Sequence, residues 1–190
     1  MISITTELVL RVILAIGTWA ADDKVADKRA RLEPVAAAIA ATAQASADPV
    51  TTTVLLLAVA KRESQFALYV VEERCTEGPV GAQCDIDARG VVHATSPFQL
   101  HRWAVGAWDL TLTREERITR AAKYADGRLR NAMTMCRTVY PGNRYAAAMA
   151  GYGMGDCTSG NGLVGGLQAY GIETILRRVG AEMKKEGIGT

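Results

Sequence analysis

Glu63 is the residue of this chain whose position most clearly suggests chemistry. It lies in the stretch AVAKRESQFALYV, residues 58–70, where helical spacing places it on one stripe with Val59, Phe66 and Val70. An ionised carboxylate among apolar side chains is unfavourable, so such a group either pairs with a cation or keeps its proton near neutral pH. A carboxylic acid that is still protonated at neutral pH can donate its proton to a leaving sugar oxygen.

Two other interpretations of this stretch compete with that one. Glu63 could instead pair with an arginine from another helix and hold the two helices together, a common role for buried acids. Ser64 falls off the apolar stripe, and serine chemistry there is disfavoured, because no Gly-x-Ser-x-Gly motif surrounds it and neither histidine is tied to it by a motif. The residues alone therefore leave a proton donor and a structural ion pair as the alternatives.

Three short stretches carry a resemblance to a known superfamily. Residues 48–66, DPVTTTVLLLAVAKRESQF, contain a proline and an aliphatic run that lead into a Glu-Ser pair. Residues 95–100, TSPFQL, and residues 145–155, YAAAMAGYGMG, follow in order. They resemble the catalytic helix, the Gly-Leu-Met-Gln-Leu segment and the Ala-Ala-Tyr-Asn-Ala-Gly segment of the lysozyme-like superfamily, in particular its soluble lytic transglycosylases and goose-type lysozymes. Gly153 replaces the asparagine of the last segment, so no substrate-orienting amide is expected there.

The resemblance implies a fold and an activity. The fold would be mainly α, a lysozyme-like fold with a small β-hairpin or irregular loop inserted after the catalytic helix. The activity would be cleavage of the β-1,4 bond between N-acetylmuramic acid and N-acetylglucosamine in peptidoglycan, with Glu63 as general acid and base and with no metal or organic cofactor. The residues expected to contact substrate are Ser64, Ser96, Gln99 and Tyr152.

A second carboxylate would distinguish two forms of this reaction. A lysozyme uses one to position or activate water, whereas in a lytic transglycosylase the 6-hydroxyl of the substrate attacks and an anhydro product forms. Asp85 and Asp87 are the candidates, and the resemblance favours Asp87, which lies ahead of TSPFQL about where goose-type lysozymes place an auxiliary aspartate. Asp87 also fits ordinary turn chemistry. The stretch that begins with DIDARG is not a calcium loop, because Arg89 stands at the fifth position and Ser96 at the twelfth, where an acid is required.

Two further functions are alternatives to peptidoglycan cleavage. A chitinase-like or chitosanase-like glycosidase could use the same helical fold and the same acid. A non-catalytic module that binds the cell wall could retain the fold without using Glu63 as a proton donor. Replacement of Glu63 separates these classes, because only a glycosidase loses turnover when the proton donor is removed.

Helical patterns extend through most of the 190 residues. Asp48 and Pro49 are suited to start one helix, and Thr113 with Glu116 forms a capping box for another. Residues 75–100 are rich in Gly, Pro and Asp and predict a loop or small β-hairpin. We expect one domain over residues 1–190, with N-terminal helices in 1–47, the motif-bearing core in 48–155 and a C-terminal helix in 156–190.

Composition limits the partners of the protein. The formal net charge is +2, only 6% of the residues are aromatic, and no basic stripe runs along the chain, so nucleic acid is not an expected partner. The apolar segment LVLRVILAIGTWAA, residues 8–21, is short and interrupted by Arg11. It therefore predicts a core helix, not a membrane span or a signal peptide. A monomer that binds peptidoglycan is expected.

Cysteine spacing bears on the cellular location. The four cysteines are Cys75, Cys84, Cys136 and Cys157, without a CxxC pair and without a nearby histidine pair, which argues against a zinc site. Their separations suggest Cys75–Cys84 and Cys136–Cys157 disulfides, although four buried free thiols are the alternative. Disulfides favour a site of action in the periplasm or cell wall. A phage endolysin, a virion-associated enzyme, an exported domain or a mature fragment would each fit.

Overall fold

The protein is mainly helical, as the sequence predicts. The computed structural model describes residues 3–17, 25–72, 92, 94–101, 109, 111–154, 157 and 164–188. Its helices are α1 (Thr6–Ile16), α2 (Val25–Gln44), α3 (Pro49–Ser64), α4 (Leu68–Val71), α5 (Arg114–Met135), α6 (Arg144–Met154) and α7 (Val164–Lys185). The strands are β1 (Ala94–Thr95) and β2 (Leu100–His101).

α1 is the core helix that the first apolar segment predicts. The Thr5 hydroxyl accepts a hydrogen bond of 3.2 Å from the Leu8 backbone nitrogen, which caps the helix. Its apolar face is buried against α2, and the Gln44 side chain of α2 donates to the Ile4 carbonyl at 2.6 Å. Among the described residues, no helix is long and apolar enough to cross a membrane.

α3 is the central helix of the core. The predicted start is confirmed, because Asp48 accepts from the Thr51 backbone nitrogen at 3.0 Å and Pro49 lies in the first turn. Every residue from 51 to 60 is buried, and α2, α5, α6 and α7 all contact this helix. A helix that is buried on all sides holds its last turn in a fixed position, and Glu63 lies in that turn.

The end of α3 corrects the predicted stripe. The helix does not continue to Val70, because it ends at Ser64 and is followed by Gln65 at φ 52° and Phe66 at φ 60°. The Ser64 side chain, expected off the apolar stripe, has no exposed area. Its hydroxyl donates to the Ala60 carbonyl at 2.8 Å and accepts from the Phe66 nitrogen at 3.2 Å, which satisfies backbone groups where the helix stops.

α5 and α6 form the layer that faces the end of α3. The predicted capping box of Thr113 and Glu116 starts α5. A disulfide joins Cys136, just after α5, to Cys157, just after α6, with a Cα–Cα distance of 5.1 Å. This confirms one predicted pairing, while Cys75 and Cys84 lie outside the described residues.

A polar network attaches α5 to α3. Arg130 donates through Nε to Asp126 at 2.8 Å and through Nη2 to the Thr52 hydroxyl at 2.9 Å. Thr52 is 2% exposed, so its hydroxyl needs such a partner. The network fixes α5 relative to the helix that carries Glu63.

A small antiparallel pair of strands lies where the sequence predicts a loop or hairpin. Ala94 pairs with His101 and Thr95 with Leu100, and the turn between the strands spans residues 96–99. The sequence motif TSPFQL therefore forms the turn and its two flanking strand residues. Residues 73–91, with Asp85 and Asp87, lie outside the described residues.

Gly151 allows α6 to approach α5 closely. A Cβ atom at this position would lie 2.7 Å from the Ala132 Cβ and 3.0 Å from the Cys136 Sγ. We therefore expect Gly151→Ala to reduce the free energy of unfolding by about 1–3 kcal/mol in urea titrations. Gly127→Ala in α5 is the matched control, since nothing lies within 4 Å of its Cβ, and it should raise stability by about 0.5–1 kcal/mol. Equal effects of the two changes would contradict the close contact.

Candidate active site

Tyr152 joins the second and third sequence motifs. Its side chain is 5% exposed, and its hydroxyl donates to the Phe98 carbonyl at 2.9 Å. Phe98 is fully buried in the turn between β1 and β2. Burial raises the pKa of the Tyr152 phenol above its ordinary value, and the charge of Glu63 raises it further. The phenol therefore stays protonated and donates, close to the first motif.

Glu63 is partly buried at the end of α3. Its side chain is 26% exposed, so it is largely buried but keeps some contact with solvent. Burial raises the pKa of Glu63 above its ordinary value of 4.5, while the positive charges of Arg62 and Arg128 oppose that rise. The net direction is upward, which is the direction that a proton donor working near neutral pH requires.

Arg62 is the ion-pair partner of Glu63 among the described residues. Its Nε lies 3.6 Å from the Glu63 Oε1, which is too long for a strong hydrogen bond. Arg62 belongs to the same helix as Glu63, and its Nη1 donates to the Met149 carbonyl of α6 at 3.4 Å. The printed ion pair of Glu63 is thus within its own helix, while Arg128 of α5 acts on the carboxyl through its charge, so a structural role for Glu63 stays an alternative.

Arg128 holds the last turn of α6. Its Nη2 donates to the Tyr152 carbonyl at 3.2 Å, and its guanidinium carbon lies 5.2 Å from the centre of the Tyr152 ring. A cation at the carbonyl end of a helix is also favoured by the helix dipole. Sequence reasoning missed both Arg62 and Arg128, because nothing in the spacing of Arg128 distinguishes it from the other arginines of α5.

The backbone around Glu63 adopts conformations that non-glycine residues rarely take. In the described part of the chain, the non-glycine residues with positive φ are Gln65 (52°), Phe66 (60°), Ser96 (70°) and Gln99 (47°). Two of them follow the Glu63-Ser64 pair directly and two lie in the turn that Tyr152 contacts. Each such residue stores about 1–3 kcal/mol, and strain of this kind clusters at functional sites.

The other expected substrate-binding residues differ in exposure. Ser64 has no exposed area, and Ser96 is 3% exposed with its hydroxyl accepting from the Phe98 nitrogen at 3.3 Å. Gln99 is half-buried, and its side-chain amide donates to the Ser96 carbonyl at 3.2 Å. In this structure the two serines support the backbone of the site. Their contact with substrate stays a prediction, as does a role for Asp85 or Asp87.

Comparison with known proteins identified no relative of this chain. No protein-family model, curated protein or solved structure matches the chain. Within the described residues, no group of three or more His, Cys, Asp or Glu side chains could hold a metal ion. The chemical interpretation of the site therefore depends on the geometry around Glu63.

Glu63 should make stability depend on pH in a defined direction. Because its folded pKa is raised, Glu63 favours the folded state below its unfolded pKa, and this contribution is lost as the pH rises through the folded pKa. The amide introduced by Glu63→Gln cannot ionise, so the stability of that variant relative to wild type should increase with pH. The increase should be about 1.4 kcal/mol for each pH unit that separates the unfolded from the folded pKa.

The measurement is urea unfolding of both proteins from about pH 4 to about pH 8. The exposed Glu115, changed to Gln, is the matched control and should show no such increase. A stability difference between Glu63→Gln and wild type that is constant or falls with pH would contradict a raised pKa.

Proposed function

We propose that this protein cleaves the glycan strand of peptidoglycan at the β-1,4 bond between N-acetylmuramic acid and N-acetylglucosamine, with Glu63 as the general acid. The observation that carries the proposal is the position of Glu63. Its half-buried carboxyl lies at the end of a fully packed helix, where the pKa is raised and Tyr152 and the turn of residues 96–99 are close by. These are the segments on which the resemblance to lytic transglycosylases and goose-type lysozymes depends.

The reaction begins with proton transfer. The Glu63 carboxyl gives its proton to the glycosidic oxygen, the bond from that oxygen to the anomeric carbon breaks, and an oxocarbenium-like state forms. Glu63 is then a carboxylate, and the positive charges of Arg62 and Arg128 lower the free energy of that charged state. Burial thus favours the protonated form of Glu63 before the transfer. After the transfer, the two arginines lower the free energy of the Glu63 carboxylate.

The second half of the reaction returns the proton. Either water or the 6-hydroxyl of the muramic acid unit attacks the anomeric carbon and loses its proton to the Glu63 carboxylate. Attack by the 6-hydroxyl needs no second carboxylate, whereas a lysozyme would use one such as Asp85 or Asp87. Attack by water yields a reducing end and attack by the 6-hydroxyl yields a 1,6-anhydro end, so the products distinguish the two paths.

Tyr152 has a positioning role in this account. Its hydroxyl proton is engaged with the Phe98 carbonyl, and burial keeps the phenol from ionising. It therefore shapes the site by holding the turn of residues 96–99 against α6. Of the two residues in that turn that are expected to bind substrate, Gln99 is partly exposed and Ser96 is buried. We therefore assign to Gln99 a hydrogen bond to sugar.

The proposed location is outside the cytoplasm. The Cys136–Cys157 disulfide supports an oxidising compartment such as the periplasm or the cell wall. Peptidoglycan, the proposed substrate, is found in the same place. A phage-encoded endolysin or a virion-associated enzyme is consistent with both points.

The proposal predicts the products released from purified peptidoglycan. Wild-type protein should release soluble glycan fragments, and Glu63→Gln should lower the rate by about 10²–10⁴-fold because the proton donor is absent. Mass spectrometry of the fragments distinguishes the two mechanisms. Fragments with reducing ends indicate a lysozyme, and fragments lighter than these by one water indicate a lytic transglycosylase. Glu115→Gln, which removes an exposed acid from α5, is the control and should retain full activity.

Three results would contradict the proposal in different ways. Equal release by wild type and Glu63→Gln would exclude Glu63 as the acid. No release by wild type, with soluble chitin or chitosan oligomers cleaved instead, would replace peptidoglycan by the chitinase-like or chitosanase-like alternative. Binding to peptidoglycan that is unchanged in Glu63→Gln, without cleavage of any of these polymers, would favour a non-catalytic wall-binding module.

A further inference from the structure

A concave surface lies at the opposite end of α6 from Tyr152. It consists of two adjacent cavities that share Tyr145. One, of about 370 Å³, lies between the end of α5 and the start of α6, and the other, of about 440 Å³, lies between α3, α6 and α7. Both volumes are in the range of pockets that bind small molecules or parts of polymers. We call the two cavities together the Tyr145 surface.

The charge of the Tyr145 surface is positive. Among the described residues, its lining includes Arg137, Arg144, Arg177 and Lys184 and no acidic side chain. Asp48 balances the charge of Arg144, whose Nη1 lies 3.1 Å from Asp48 Oδ2 and whose guanidinium carbon lies 5.3 Å from the Tyr145 ring centre, so the excess positive charge comes from the other three residues. Arg137 and Lys184 are exposed, and neither forms an ion pair with another described residue. A concentration of positive charge in a nearly neutral chain favours an anionic ligand.

The uncharged lining residues indicate what carries the negative charge. Tyr140 is partly exposed and offers a flat apolar ring with a polar hydroxyl, whereas the Tyr145 ring packs against the core and has the Arg144 guanidinium beside it. The Asn143 side-chain oxygen accepts from the Ala146 nitrogen at 3.0 Å, which fixes the amide group at the start of α6. A ring that can pack against the apolar faces of sugars, beside amide and guanidinium donors, matches an acidic polysaccharide.

We propose that the Tyr145 surface binds an acidic polysaccharide, whose sugar rings pack against Tyr140 and whose carboxylates contact Arg137 and Lys184. Tyr145 and Tyr152 are seven residues apart on α6, which corresponds to about 10 Å along the helix axis, and neither cavity is lined by Glu63 or Tyr152. Binding here needs no chemistry at Glu63. The proposal therefore stands or falls independently of glycan cleavage.

The test uses the full chain carrying Glu63→Gln, so that no polymer is cleaved, and isothermal titration calorimetry with polygalacturonate. The double variant Arg137→Gln/Lys184→Gln should bind at least about tenfold more weakly than the parent. Arg120→Gln/Lys123→Gln removes the same charge from exposed positions of α5 and is the matched control, which should bind within about twofold of the parent. Circular dichroism verifies that all variants fold.

Three further ligands make the result specific. Neutral dextran of equal length should bind much more weakly than polygalacturonate. Tyr140→Leu should weaken the binding of polygalacturonate but not of polyglutamate, which has the charge without the sugars. The proposal is overturned if the two double variants lose affinity equally, if dextran or polyglutamate binds as tightly as polygalacturonate, or if a DNA duplex binds more tightly than any of them.

Discussion

The partial burial of the Glu63 carboxyl is the constraint on which the rest of the site depends. The carboxyl lies in the last turn of a helix whose residues 51–60 are all buried, and its own burial raises its pKa. Arg62 and Arg128 stand close enough to oppose that shift without reversing it. The same two arginines donate to carbonyls of α6, so the charge balance of the acid and the position of α6 are coupled.

α6 connects the Glu63 site to the turn of residues 96–99. Tyr152 donates to the Phe98 carbonyl, and the Cys136–Cys157 disulfide with the close contact at Gly151 holds α6 against α5. The described fold thus brings residues 95–100 and α6, which are distant in sequence, close to the end of α3. The strained backbone after Ser64 and within the turn includes the buried residues Phe66 and Ser96, whose packing offsets the cost of the positive φ angles.

Local signals in the sequence predicted much of the fold. The caps at Asp48 and Thr113, the core helix α1 and the Cys136–Cys157 pair follow from short-range chemistry, and the structure has each of them. The break after Ser64 was missed because no glycine or proline marks it, and a buried serine hydroxyl replaces the usual signal. The roles of Arg62 and Arg128 depend on tertiary contacts with α6, which periodicity along one helix does not encode.

The measurement that tests the account most directly is the pKa of Glu63 itself. Carbon-13 NMR of the side-chain carboxyl carbons, with Glu63→Gln to assign the resonance, gives the midpoint of its titration without any assumption about substrate. The account predicts a midpoint above the ordinary value of 4.5. A midpoint at or below that value would mean that Glu63 is ionised and held by its arginines, and a proton donor at neutral pH would have to be sought elsewhere in the chain.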